Sequence, residues 1–177
     1  TSVATLRERT SGTLERLMSL PVSKMDFSIS YAISFSFLAI LQATFLSFIS
    51  FVVFGLETKG SINMVILIAT LNGLAGTGFG LVSSSLAKTE FQAVQFMPLT
   101  LFPQILLCGL IVPRDFLPTG LKEISNIIPL SYAMDAIEEA IVQTTFTDDF
   151  IYSISILGIF TFVLLLIGAT TIKRRTP

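Results

Sequence analysis

Few residues of this chain are of types that perform chemistry, and their spacing brings them together in no site. The chain contains no histidine, which removes Ser-His and Cys-His nucleophile pairs, the two-histidine zinc motif and imidazole proton relays. The acid pairs Glu138–Glu139 and Asp148–Asp149 are adjacent residues, and adjacent side chains point in different directions on a helix. The single cysteine, Cys108, lies in an apolar run. We therefore predict no catalytic, cofactor-binding or metal-binding site.

Four glycines lie close together in one uncharged run: Gly73, Gly76, Gly78 and Gly80. A Walker A phosphate loop follows a strand and ends in Gly-Lys-Ser or Gly-Lys-Thr, and neither sequence follows Gly80. Gly76 and Gly80 are instead spaced as a small-xxx-small pair, which allows two helices to approach closely in lipid. We predict helix packing at Gly76 and Gly80.

The composition of the chain is that of a membrane protein. Of its 177 residues, 52% are hydrophobic and 13% are charged, whereas an average soluble domain carries about 25% charged residues. The mean hydropathy is +0.80. A net charge of −1 gives no case for binding nucleic acid.

Uncharged runs predict an all-α membrane protein with four transmembrane helices, at about 27–56, 60–87, 91–113 and 150–172. Pro98 and Pro103 predict that the third span is kinked or partly re-entrant. In the first span, Gln42 and Thr44 are expected to bond to the backbone or to neighbouring helices rather than to line a pathway. The segment 114–149 is rich in apolar residues, so we expect it to lie on the membrane or dip into it.

The distribution of positive charge predicts the orientation. With four spans, eight of the eleven Lys and Arg residues fall on the side that carries both ends of the chain, and three fall on the other side. Cytoplasmic loops carry the excess of Lys and Arg. We therefore place both termini in the cytoplasm of a multi-pass cell-membrane protein, and the segment 114–149 outside.

The segment 1–26, which precedes the transmembrane domain 27–177, is predicted to contain an amphipathic helix. Leu14, Leu17 and Met18 recur at i, i+3 and i+4, Glu15 and Arg16 fall on other faces, and a helix stops before Pro21. The pattern fits two alternatives: a helix in the membrane interface or a docking helix for a cytosolic partner.

Two groups of motifs resemble the permease subunits of the ABC-2 type transporters, near the drug and antibiotic exporter branch. The cytosolic segment before the first span reads RER at 7–9, GTLERL at 12–17 and LPVS at 20–23. The external segment reads LP at 117–118 and IPLSYAMDA at 128–136, and the chain closes with KRR at 173–175. These motifs cover nearly the whole chain, and the first group is the more specific one.

The resemblance implies a six-span permease that pairs with a second copy and with two cytosolic ABC ATPase subunits. Residues 8–20 would form the coupling helix on the ATPase, with contacts from Arg9, Leu14, Glu15, Arg16, Leu17 and Met18. The external segment would form short re-entrant helices that include Pro118, Pro129 and Tyr132. The family's first two spans would precede this chain, which is then a fragment or processed product. No Walker A loop is present in the sequence, so ATP hydrolysis is expected on a partner chain.

The sequence thus favours the permease subunit of an ATP-driven exporter for a drug-like or other amphipathic molecule, such as a drug or a lipid-linked glycan. An alternative is a non-transporting anchoring or assembly subunit. An intramembrane enzyme is disfavoured because no span carries an acid or a histidine, and the same absence disfavours ion-coupled transport.

Overall fold

A computed structural model describes residues 1–10, 24–57, 59–143 and 145–171. Within these ranges the regular elements are all helices and none is a β-strand, as the sequence predicts. A short 3₁₀ turn at Arg114–Phe116 is the only other helical element there. The α-helices are α1 (Ser2–Thr10), α2 (Lys24–Val52), α3 (Ile62–Leu86), α4 (Glu90–Leu107), α5 (Thr119–Ser125), α6 (Pro129–Val142) and α7 (Asp148–Thr171).

Three described helices are long and apolar enough to cross a membrane, namely Ile29–Val52 in α2, Ile62–Leu86 and Asp148–Thr171. This confirms the first, second and fourth predicted spans. Side chains cap the starts of α3 and α7. The hydroxyl of Ser61 accepts a hydrogen bond from the Asn63 amide at 3.3 Å, and that of Thr147 accepts one from the Phe150 amide at 3.1 Å. Such side chains satisfy amide groups that have no partner within the helix.

The predicted span at 91–113 is a shorter helix than expected. The helix α4 has 18 residues and continues through Pro98 and Pro103 to Leu107, after which Gly109 takes the left-handed φ of +98°. At 1.5 Å per residue, 18 residues reach about 27 Å, slightly less than the roughly 30 Å of hydrocarbon. It is not among the helices of sufficient length and apolarity, so the third span, at 91–113, stays a prediction.

The helix α3 lies at the centre of the bundle and contacts α1, α2, α4, α6 and α7. Its closest approach is to α7, where a Cβ on Gly78 would lie 2.8 Å from the Cβ of Leu164, and one on Gly168 would lie 2.7 Å from the Cβ of Leu81. Small residues let membrane helices approach to this degree. A core of buried residues joins α3 to α6 and α7: Met64, Ile68, Ala133, Ala136, Ala140, Phe150 and Leu157.

The segment 114–149 folds into the 3₁₀ turn, the seven-residue α5 and the fourteen-residue α6. Short helices are what the family resemblance implies here. Their entry into the outer leaflet stays a prediction. Because α6 packs against both α3 and α7, this segment is joined to the predicted spans along one side.

Candidate transport site

The predicted coupling residues fall mostly outside the part of the chain that the structure describes. This applies to Leu14, Glu15, Arg16, Leu17 and Met18. Arg9 lies in α1, but its side chain is also outside the described set. The coupling helix at 8–20 therefore stays a prediction.

The helix α1 is attached to the ends of α3 and α4. Leu6 is buried in a cluster with Ala87 and Ala93. The Arg7 guanidinium donates two hydrogen bonds to the Glu90 carboxylate, at 3.1 and 2.9 Å, and these bonds lower the pKa of Glu90 below its ordinary value. Residues 1–10 are thus joined to the bundle on the side that the charge distribution predicts to be cytoplasmic.

The predicted packing pair, Gly76 and Gly80, faces two different environments. A Cβ on Gly80 would lie 2.8 Å from the Cβ of Thr1, so this glycine receives the start of α1. A Cβ on Gly76 would meet nothing within 4 Å. Close contact of α3 with a predicted span is made instead by Gly78, and packing of a further span on Gly76 and Gly80 stays a prediction.

Gly76 opens onto two adjoining cavities. The larger, of about 720 Å³, lies between α2, α3 and α6 and carries the polar side chains of Gln42, Asn72 and Thr77. The smaller, of about 230 Å³, lies between α3 and α4 and carries those of Asn72, Thr100 and Gln104, among others. No charged residue lines either cavity among the described residues. Ligand pockets are typically about 300–1,000 Å³ and mostly apolar.

The sequence did not identify Gln42 and Asn72 as residues that line a cavity. Thr44 does bond to the backbone, donating to the Ile40 carbonyl at 2.9 Å. Gln42 instead lines the larger cavity and has no hydrogen-bond partner within the described ranges. Within the described residues Gln42 thus lines this cavity instead of bonding to the backbone or to a described helix, and a bond to a helix outside these residues stays a prediction. Asn72 was missed, although an amide within an uncharged run was a usable signal.

The external prolines and tyrosine mark the ends of the outer helices. Pro118 directly precedes α5, and Pro129 is the first residue of α6, where its missing N–H costs no helical bond. The Tyr132 hydroxyl donates to the Asn126 carbonyl at 2.7 Å. The Ser125 hydroxyl donates to the Leu107 carbonyl at 2.8 Å, which ties α5 to the end of α4.

A partly buried ion pair completes this outer cluster. The Arg114 guanidinium contacts the Asp135 carboxylate and the Asn126 side-chain carbonyl. The side chain of Arg114 is 17% exposed and that of Asp135 is 38% exposed. The Nε of Arg114 is buried and has no hydrogen-bond partner in the described ranges. The pair is 21 residues apart in sequence, too far for any local pattern to indicate.

We expect Asp135→Ala to lower the free energy of unfolding by about 1–2 kcal/mol. The change leaves the Arg114 charge partly buried without its carboxylate, and the figure allows for the exposure of Asp135. Denaturation of the purified protein in detergent measures the effect. Asp115→Ala is the control, because Asp115 pairs with Lys122 at 2.8 Å while its side chain is 88% exposed, and we expect little change there. Equal losses in both variants would contradict the prediction.

The two acids Glu138 and Glu139 lie in different environments. The Glu139 carboxylate accepts from the Thr147 hydroxyl at 3.0 Å and so connects the end of α6 to the start of α7. Glu138 is exposed. Asp148 and Asp149 lie in the first turn of α7, where negative charge interacts favourably with the helix dipole.

Comparison with known proteins gives the family. The family model described as ABC-2 type transporter matches residues 1–142. The chain is 24% identical over 99% of its length to the probable multidrug ABC transporter permease YbhS of Escherichia coli (strain K12), and covers 46% of that protein. It is 29% identical over 84% of its length to the probable multidrug ABC transporter permease YbhR of the same organism, and covers 40% of it.

A third relative is the linearmycin resistance permease protein LnrN of Bacillus subtilis (strain 168), 26% identical over 78% of this chain, which covers 36% of that protein. No solved structure matches. The chain thus spans less than half the length of these relatives. The family match, the motifs at 7–23 and 117–136 and the three apolar helices agree with one another, and the chain belongs to the ABC-2 type transporter family.

Proposed function

We propose that this chain is the membrane-spanning part of a permease subunit in an ATP-driven exporter, and that it moves an amphipathic molecule out of the cytoplasm. The match of the ABC-2 type transporter model over residues 1–142 carries the proposal. Relatives named multidrug and linearmycin resistance permeases support an exporter of drug-like molecules. The uncharged cavities beside α3 supply space for such a molecule.

The energy for transport comes from cytosolic ABC ATPase subunits. This chain has no Walker A loop, so nucleotide is bound outside it. Residues 8–20 dock on that partner from the cytoplasmic side, where both termini of this chain lie. Because α1 contacts α3 and α4, a movement of the docked segment is passed to the helices that border the smaller cavity.

A second permease subunit completes the pathway. Large apolar side chains of α4 are exposed on the surface of this chain, among them Met97 at 69% and Phe102 at 61%. In a bilayer, such a face contacts either lipid or another protein helix. We propose that part of it contacts the second permease copy, which is identical to or a homologue of the first.

The test is purification of the whole protein that contains this chain from membranes in a mild detergent, followed by an ATPase assay. We expect an ABC ATPase to copurify and to hydrolyse ATP. The control is a second membrane complex purified in the same detergent, which shows that subunits are retained. If no ATPase copurifies while that complex stays intact, the exporter proposal is wrong and the chain is an anchoring or assembly subunit.

A further inference from the structure

We propose that Gln42 and Asn72 form the polar part of the substrate site, and that they select uncharged amphiphiles whose headgroup both donates and accepts hydrogen bonds. Hydroxyl-rich and amide-bearing lipids are the class of molecule with this chemistry. The proposal rests on the proposed function, because it names what the exporter carries.

The two amides lie at the same depth. Gln42 is ten residues before the end of α2 at Val52, and Asn72 is ten residues after the start of α3 at Ile62. The two helices are consecutive and in contact. At 1.5 Å per residue, each amide lies about 15 Å from its helix end, roughly the midplane of a 30 Å hydrocarbon layer. Both line the larger cavity.

Thr77 and Gln104, two polar side chains that also line the cavities, are satisfied by their own helices, but Gln42 and Asn72 are not. The Thr77 hydroxyl donates to the Gly73 carbonyl at 3.2 Å, and the Gln104 amide donates to the Thr100 carbonyl at 3.1 Å. Gln42 and Asn72 make no hydrogen bond to any residue that the structure describes. Gln42 is exposed and Asn72 is half-buried, so in a bilayer both amides would face lipid, where an amide without a partner costs several kcal/mol. The partner of these two groups lies outside the described residues, and the proposal assigns this role to the transported molecule.

The lining of the cavities decides which partner fits. The side-chain amides of Asn and Gln each supply donors and an acceptor, while no Lys, Arg, Asp or Glu is among the described residues that line either cavity. An ion at this depth would lack a counter-charge and pay a large desolvation cost. Alkyl chains of the same molecule would contact apolar lining residues such as Leu38, Leu46 and Ile137.

The experiment measures equilibrium binding of fluorescent lipids to the whole protein in nanodiscs, without nucleotide. The probe is NBD-labelled ceramide, which is uncharged and carries hydroxyl and amide groups; NBD-labelled phosphatidic acid and rhodamine 123 are the anionic and cationic comparisons. We expect the parent to bind ceramide at least tenfold more tightly than either ion. Asn72→Leu and Gln42→Leu should each weaken ceramide binding roughly tenfold.

Gln95→Leu is the matched control, because Gln95 is an exposed amide of α4 that lines neither cavity. We expect it to bind ceramide as the parent does. Equal binding by the Asn72, Gln42 and Gln95 variants, or tighter binding of rhodamine 123 or phosphatidic acid by the parent, would overturn the proposal. The assay needs no ATPase, so its failure and a failure to copurify an ATPase are distinguishable.

A second measurement asks whether protein fills the cavity instead. Asn72→Cys is made in a background in which Cys108, the single cysteine of this chain, and any cysteine elsewhere in the whole protein are replaced by Ala, and it is reacted with N-ethylmaleimide in nanodiscs. We expect modification that ceramide slows. A cysteine that never reacts indicates that a further helix or a second copy covers Asn72, which would also overturn the proposal.

Discussion

Leu17→Asp is expected to abolish export while leaving membrane insertion intact. Leu17 is predicted to lie at the centre of an apolar stripe with Leu14 and Met18, which follow the i, i+3, i+4 spacing of one helix face. A few buried apolar anchors dominate most protein interfaces, and their loss costs about 2 kcal/mol or more, which is roughly thirtyfold in affinity. A carboxylate at that position also has to be desolvated. Accumulation of a fluorescent drug in cells measures export. The amount of the protein in the membrane fraction measures insertion.

Two control variants isolate the docking role of Leu17. Leu17→Met conserves volume and apolarity, so export should be retained. Thr119→Asp places the same new charge in the first turn of α5, where a helix tolerates it, on the face that we predict to be external. Normal export by Leu17→Asp would show that this residue does not dock on the ATPase, and loss of export in all three variants would show a general fault in the protein.

The spans that sequence predicted well are those in which an uncharged run and a capped helix coincide. Ser61 and Thr147 are local signals that lie next to apolar runs, so the starts of α3 and α7 differ from the predicted starts by only two residues. The end of α4 was not predicted, because the uncharged run continues to Pro113 while the helix stops at Leu107. The left-handed turn at Gly109, not a charge, ends the regular structure there.

The contents of the candidate site were harder to predict, since they depend on how distant helices face each other. Gln42 and Asn72 belong to two helices, and their common cavity exists only after α2, α3 and α6 pack together. Arg114 and Asp135 meet across a chain reversal. Spacing alone showed that glycines of α3 permit close packing, but it did not show which of them faces α7.

Gly78→Leu is expected to lower the free energy of unfolding by about 3 kcal/mol, because Gly78 is the glycine of α3 that lies against α7. Its added Cβ would lie 2.8 Å from the Leu164 Cβ and 3.0 Å from the Leu164 backbone carbon. The backbone of α7 fixes the positions of both atoms, so neither can give way by a change of rotamer and both move only if α7 moves. Overpacking of this kind usually costs about 1–3 kcal/mol, and the rest of the leucine side chain adds to it.

Gly158→Leu on α7 separates this steric effect from helix propensity. A Cβ at Gly158 would meet nothing within 4 Å, and replacing a helical glycine by leucine gains up to about 1 kcal/mol. The two variants should therefore shift stability in opposite directions, as measured by denaturation in detergent micelles. Because α7 also contacts α6, separation of α3 from α7 should loosen the outer segment, and protease should cleave within 114–147 faster in Gly78→Leu than in Gly158→Leu. Equal stability of the two variants would mean that α3 and α7 do not cross at Gly78.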